Sequence, residues 1–357
     1  MFNYIFKRLI LSVLTIIIAL TITFFLLKLI NKTPSALEAK ITATMAANKN
    51  LTIPQATKNV FEANNYHPEW GAFEAYGHYV SDLFHGSFGA YYEKPQKSIP
   101  TQFVEPLKYT FLVSGLGFMF GTILGLAFGI YAGYKRGKFA DITLNIFSIL
   151  FVAIPSFVLA AILIVTANKT DWPTQFSPIL QSGSMGATLK TLVLPILIIT
   201  VTSFATITYY VRNEVVEVLK SDYVATARSK GLSEYNIFMS HVMRNISIPA
   251  ITIIFPSFIF IVMGSLIIEL FFSVPGTAKM FSTAITNYEY NVIMYSILFF
   301  ASLSLVVNIL VDVFYTILDP RIKLAAKNDF SIWKKMKFAK RRKLAAPGKV
   351  VEEVVND

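Results

Sequence analysis

Six long apolar runs, each nearly free of charge, constrain this 357-residue chain more than anything else in it. They fall at about Leu9–Ile30, Leu107–Tyr134, Ile142–Ala167, Leu189–Val211, Ile248–Glu269 and Val292–Leu318. About 20 apolar residues cross the hydrocarbon core of a bilayer. In lipid every backbone N–H and C=O must be satisfied within the segment, so such runs form helices. The fold class expected is an all-α polytopic membrane protein with six transmembrane helices. The first run follows Lys7-Arg8 and exceeds the short core of a cleaved signal peptide, so it reads as a retained span. With 54% hydrophobic and 15% charged residues, the chain is too apolar for an ordinary soluble domain of this size. It has no Cys, which removes disulfides, thiolate catalysis and cysteine metal sites.

Charge sets the orientation. Lys7 and Arg8, then Lys135, Arg136 and Lys138, then Arg212, Lys220, Arg228, Lys230 and Arg244, then a basic tail, all fall on one side when six spans alternate. The positive-inside rule makes that side cytoplasmic and places both termini there. The chain divides into residues 1–30 (N-terminus and first span), an extracytoplasmic insert 31–106, a core 107–320 with a cytoplasmic loop 212–247, and a tail 321–357. The net charge of +11 gathers beside the last apolar run, at Lys334, Lys335, Lys337, Lys340, Arg341, Arg342 and Lys343. That placement speaks for membrane lipid rather than nucleic acid as the partner. A basic tail carrying Trp333, Met336 and Phe338 suits either the lipid surface or solvent.

Asp, Glu, Lys, Arg and His are missing from the interiors of the second to sixth runs. Ion-coupled pumps usually place ionisable groups at depth, so energy for transport is expected from elsewhere. The second run carries Gly117, Gly121, Gly125, Gly129 and Gly133, one every fourth residue. Such a ridge admits close approach of another helix, in a transport core or in any polytopic bundle. In the insert, Thr33-Pro34 and Pro54 suggest helix starts. Trp70, Phe73, Tyr76, Val80 and Leu83 recur at helical spacing as a packed face. Glu74, His78, Asp82 and His85 lie on another face, which reads as solvated polar surface rather than a metal stripe.

The polar stretch from Ser221 to Pro249 reads as two short helices broken at a glycine. Ser221 is placed to N-cap the first with Asp222 in its first turn, and Gly231 stands where a left-handed residue ends it. Ser233 is placed to cap the second, with Leu232 and Ile237 as a hydrophobic staple. A compact helix–Gly–helix knuckle is what a membrane domain needs to receive force from a soluble partner.

Several of these segments resemble one family. Tyr4-Ile-Phe-Lys-Arg-Leu9, Gly86-Ser-Phe-Gly89, Ala225-Thr-Ala-Arg-Ser-Lys-Gly231-Leu-Ser, Arg244-Asn245 with Ile248-Pro249, Glu269-Leu-Phe-Phe-Ser-Val-Pro-Gly276 and Leu318-Asp-Pro-Arg-Ile322 are similar to the first permease subunit of bacterial oligopeptide or dipeptide ABC importers. The resemblance covers about three quarters of the chain and departs from the general motif in having Ala225-Thr226-Ala227 where Glu-Ala-Ala is usual. It implies a type I importer core, a second homologous permease subunit, two ATP-binding subunits and an extracytoplasmic peptide-binding protein. The coupling loop would comprise Asp222, Tyr223, Ala225, Ala227, Arg228, Lys230, Gly231, Leu232 and Ser233. No catalytic or metal residue is expected in this chain. ATP and Mg would sit on the partners, since the sequence has no Gly-x-x-x-x-Gly-Lys-Ser/Thr loop. Substrate contacts are left unassigned. Nickel and glutathione importers share this permease type, and an ion-coupled secondary transporter is the alternative of a different class.

Overall fold

The computed structural model describes residues 2–30 and 32–318. The basic tail and the Leu318–Ile322 motif beyond its first residue lie outside the described residues. Among the described residues the secondary structure is helical, with no strand.

Helix α1 (Phe2–Ile30) leads into three insert helices, α2 (Ser35–Ala47), α3 (Ile53–Ala63) and α4 (Ala72–Phe84). The core follows as α5 (Ile99–Tyr134), α6 (Phe139–Ala153), α7 (Ser156–Asn168), the short α8 (Ile179–Ser182) and α9 (Met185–Leu219). Two short helices, α10 (Asp222–Ser229) and α11 (Glu234–Ile237), precede α12 (Arg244–Phe271), α13 (Thr277–Thr286) and α14 (Tyr290–Leu318). Helices α1, α5, α9, α12 and α14 lie in runs long and apolar enough to cross a membrane. The pair α6–α7 passes the same test jointly but is bent by 98°. The run read from sequence as one straight third span is therefore a broken one. Pro155 is the cause: it has no N–H to continue the ladder, and it holds the preceding Ile154 extended, at φ −82 and ψ 121.

The glycine ridge organises the core. A Cβ built at Gly117 would meet Ile199, at Gly121 Ser203, at Gly125 Ile207, at Gly129 Val211 and at Gly133 Val215. Each step of four along α5 is met by a step of four along α9, so the two helices run parallel in fixed register. Backbones touch at these points, as where Thr208 Oγ1 donates to the Gly125 carbonyl at 3.5 Å. The contact line runs from Gly117 to Gly133, about 24 Å at the helical rise, which is most of a bilayer core. Close approach of another helix, which both readings of the ridge require, is present.

Around this pair sit two apolar cores. Val113, Ile198, Ile268 and Phe272 fill the insert-side core. Ile207, Val215, Val224 and Ile237 fill the core nearer the α10–α11 loop. Helices α1 and α14 lie antiparallel and are pinned at both ends. An Arg8–Asp312 ion pair closes one end. At the other, Tyr290 Oη accepts from Lys32 N at 3.1 Å and donates to Lys32 O at 3.0 Å.

The insert is fastened through a buried carboxylate. Glu289, fully buried between α13 and α14, accepts from the amides of Tyr92 at 3.1 Å and Glu93 at 2.9 Å. Beside it Asn291 Nδ2 donates to Ala90 O at 3.0 Å. Gly89, at φ +76, presses on the Asn291 side chain with no room for a Cβ. The Gly86–Gly89 element is thus a latch: both glycines take positive φ, and Phe88 between them meets the Tyr295 ring at 5.0 Å. Burial pushes the Glu289 carboxyl up to about 7 from its ordinary 4.5, against the two amide donors; Glu93 adds to the rise and Lys40 opposes it.

Two outcomes follow. Gly121→Ala would bring a Cβ to 2.5 Å from Ser203 Cβ and should cost about 1–3 kcal/mol as overpacking. Gly115→Ala, on the same helix with open space around it, should cost nothing; thermal unfolding of the solubilised protein compares them. For Glu289, the folded chain keeps a proton between about pH 4.5 and 7 that the unfolded chain has lost. Its contribution is full below that window and lost as pH rises through it. Relative to the intrinsic base-catalysed rate, protection of the amides at residues 90–93 should fall from pH 5 to 8, and Glu289→Gln should flatten that slope, although it anchors less well through a single acceptor.

Candidate functional site

Ser221 stands at the N-cap of α10 with extended backbone, φ −71 and ψ 150. Its hydroxyl does not cap the helix, however: it donates back to Val218 O at 2.6 Å, tying the loop to the end of α9. Asp222 in the first turn and Arg228 in the last complement the helix dipole. At the other end Leu232 N donates to Ala227 O at 3.2 Å and Gly231 N to Arg228 O at 2.9 Å. That pair of bonds is a Schellman motif, which demands a left-handed residue at its C′ position. Gly231 supplies it with φ +78. Ser233 then caps α11 by accepting from Asn236 N at 3.3 Å.

The second helix does not stop, contrary to the expectation of two short helices. From Phe238 to Met243 it widens into a π-helical turn and continues as α12. Helix α11 and the membrane-spanning helix α12 are therefore one continuous rod.

The knuckle is two-faced. Val224, Ala227 and Ile237 are buried against α9 and α12. Asp222, Tyr223, Ala225, Arg228, Lys230, Gly231, Leu232 and Ser233 are exposed. Ala227, grouped from sequence with the contact residues, instead sits under the helix. Leu232 stays on the surface while Ile237 is fully buried. The outer face is unusually apolar for a loop: Tyr223, Leu232, Tyr235 and Met239 are 44%, 41%, 70% and 51% exposed. Arg228 Nε meets Glu234 Oε1 at 3.0 Å across the turn. With both side chains about half in solvent, that pair fixes the angle more than it adds stability.

Two features of the core escaped sequence reading. Arg212, counted only as a topology charge, makes a bidentate pair with the buried Asp141, both contacts at 2.9 Å. Asp141 also accepts from Gly137 N at 2.9 Å, so one carboxylate joins the α5–α6 turn, α6 and α9. The only sequence signal was Asp141 just past a glycine turn. Glu269 ends the fifth apolar run and is fully buried. It accepts from Ala278 N at 3.0 Å and Ser265 Oγ at 3.2 Å, while Thr277 N donates to Thr110 Oγ1 at 2.9 Å. Glu269 thereby seats α13 on α12 while Thr110 seats it on α5, and the carboxylate explains the Glu269–Gly276 stretch: the Gly276 backbone lies directly on it, leaving no space for a Cβ.

On the insert side a cleft of 840 Å³ opens between α5, α13 and residues 93–97. Glu93, Glu105, Lys94, Lys97 and Lys279 line it, charges of both signs open to solvent.

Residues 125–324 match the family model described as the binding-protein-dependent transport system inner membrane component. The chain belongs to that family. The match includes the knuckle, the Asp141–Arg212 clamp and the Glu269 seat. Among individual proteins, the oligopeptide transport system permease protein OppB of Mycoplasma pneumoniae is 34% identical over 90% of this chain and 79% of its own length. The dipeptide transport system permease protein DppB of Bacillus subtilis is 31% identical over 92% of this chain and its full length. This member of the family is a multi-pass membrane protein and a transport subunit.

The Schellman turn carries a direct test. No atom lies within 4 Å of a Cβ added at Gly231, so only backbone handedness resists substitution. Gly231→Val should cost about 1–2 kcal/mol locally. Gly231→Asn, which tolerates the left-handed region, should recover most of it. Amide exchange of Val224–Ile237 reads both.

Proposed function

We propose that the chain is the permease subunit of an ATP-driven peptide importer in the bacterial cytoplasmic membrane. Both termini and the Ser221–Pro249 loop are cytoplasmic in this reading, and the insert is outside. A second homologous permease subunit completes the translocation path, two ATP-binding subunits dock on the cytoplasmic loops, and an extracytoplasmic binding protein delivers substrate. ATP and Mg sit on the partners. The peptide assignment rests on the relatives, which are named for oligopeptide and dipeptide transport.

The observation that carries the reading is the two-faced knuckle. Its inner face is anchored in the core beside the glycine ridge. Its outer face presents Tyr223, Leu232, Tyr235 and Met239, the aromatic and flexible apolar residues that protein interfaces favour at their centres. A soluble subunit gripping that face would move α9 through Val215 and Val218 and α12 through the continuous helix, a rigid-body change between two packed states. The ion-coupled alternative loses support from the same geometry. Asp141, Glu269 and Glu289 each hold helix or loop amides in place, so all three serve as structural posts.

In a fully assembled complex, Gly231→Val should insert normally yet lose ATPase association or the coupling of hydrolysis to uptake, and Asp222→Arg should give a milder form of the defect. Normal transport by Gly231→Val would reduce the loop to a connector. Orientation is checked separately in a chain that has no Cys of its own. A membrane-impermeant thiol reagent should label Glu62→Cys from outside intact cells and spare Ser229→Cys. Labelling of Ser229→Cys would reverse the topology.

A further inference from the structure

Helix α4 has two sharply different sides. Glu74, His78, Ser81 and Asp82 occupy one. Phe73, Tyr76, Tyr79, Val80, Leu83 and Phe84 fill an arc on the other, in the pattern of an amphipathic helix. Sequence periodicity gives that arc a protein neighbour along its whole width, and the structure gives it one along a single edge. Tyr76 and Tyr79 lie against α1, whereas Phe73 and Phe84 are 83% and 88% exposed. Two phenylalanines so open to water on one helix edge are costly.

The contacts with α1 fix the depth of this helix. Tyr76 Oη lies 2.6 Å from Thr21 Oγ1. The Phe24 ring meets Tyr76 at 5.4 Å and Tyr79 at 5.3 Å. Phe25 meets Phe73 at 5.3 Å and Tyr76 at 5.4 Å. The apolar stretch of α1 runs from Leu9 to Leu27 and ends at Lys28, a length of about 28 Å, matching one bilayer core. Lys28 therefore marks the interface on the insert side. Thr21 lies seven residues inside it, about 10 Å along the axis. Ile22, at the same level of α1, and Leu26, a turn nearer Lys28, are themselves 56% and 58% exposed, on a helix that crosses the membrane. At that level the surroundings are acyl chains.

We infer that α4 is embedded in the leaflet on the insert side, with the Phe73–Phe84 edge in the acyl region and the Glu74–Asp82 face toward the headgroups and water. Its partner is lipid. The depth given by Thr21 falls within the immersion of interfacial amphipathic helices, about 5–10 Å. The sequence reading of the insert as an extramembrane subdomain is thereby narrowed to α2, α3 and the segment joining them. The inference stands apart from the importer reading, since it needs neither a transported substrate nor a choice of which side is outside.

Single-Cys variants in the full assembled complex, reconstituted in phospholipid nanodiscs and carrying a nitroxide label, test it. The natural absence of Cys leaves no background, and the sites chosen are exposed or half-buried. At Phe73→Cys, Val80→Cys and Phe84→Cys, collision with lipid-soluble oxygen should exceed collision with a water-soluble nickel chelate several-fold. At Glu74→Cys, His78→Cys and Asp82→Cys the order should reverse. If the chelate reaches 73 and 84 as readily as 74 and 82, the helix lies in water and the inference is wrong. If neither quencher reaches 73 and 84, a protein surface covers them and lipid is not the occupant.

Discussion

Close approach of α5 and α9 along five glycines is the contact on which the rest of the structure depends. In lipid, helices gain nothing from excluding water from one another, and association rests on packing and on polar contacts between helices. Removing the side chain at every fourth position of α5 lets its backbone come within reach of α9 carbonyls such as those of Thr200 and Thr208. The line is long enough to fix rotation and sliding of both helices together. It also ends, at Gly133 and Val215, next to the α9 terminus from which α10 departs. The knuckle is therefore mounted beside the ridge, with only the Lys220–Ser221 turn between α9 and α10.

The three buried carboxylates share one logic. Each stands where a chain turn must be held against a helix: Asp141 at the α5–α6 turn, Glu269 at the start of α13, Glu289 under the latch of the insert. Backbone amides at such places would otherwise be unsatisfied near the membrane. A carboxyl group offers two acceptor oxygens: Glu289 takes two backbone amides, while Asp141 and Glu269 each take one amide beside a side-chain donor. All three lie near the ends of apolar runs, not in their middles, where an ionisable group would be hardest to accommodate.

How much of this was legible in the sequence depends on the range of the interaction involved. Hydropathy found the spans because bilayer thickness imposes a length that local composition must meet. The left-handed Gly231 and the Ser233 cap were legible because each is decided within a few residues. The Ser221 hydroxyl was misassigned because a cap needs its oxygen to accept from an amide of α10, whereas the Val218 carbonyl draws it back to the end of α9 as a donor. The break at Pro155 was missed although proline announces it, because the apolar composition is unbroken on both sides and prolines such as Pro106, Pro195, Pro249 and Pro256 sit inside continuous helices. The Asp141–Arg212 clamp and the Glu289 latch join residues far apart in the chain, for which one sequence carries no signal.

The wide turn from Phe238 to Met243 sets a phase. An α-helix advances about 100° for each residue, and a π-helical turn holds one residue more than the α-helical ladder allows. The face that α12 turns toward its neighbours is therefore indexed to the face that α11 shows to solvent by that single surplus residue. Were the bulge wound into α geometry with its residue kept, the ladder would close and everything beyond it would rotate by about 100° relative to the knuckle. Were it instead to pass along the helix, each residue it crossed would turn by the same amount while both ends kept their places. A bulge of this kind is an adjustable keyway in an otherwise rigid shaft.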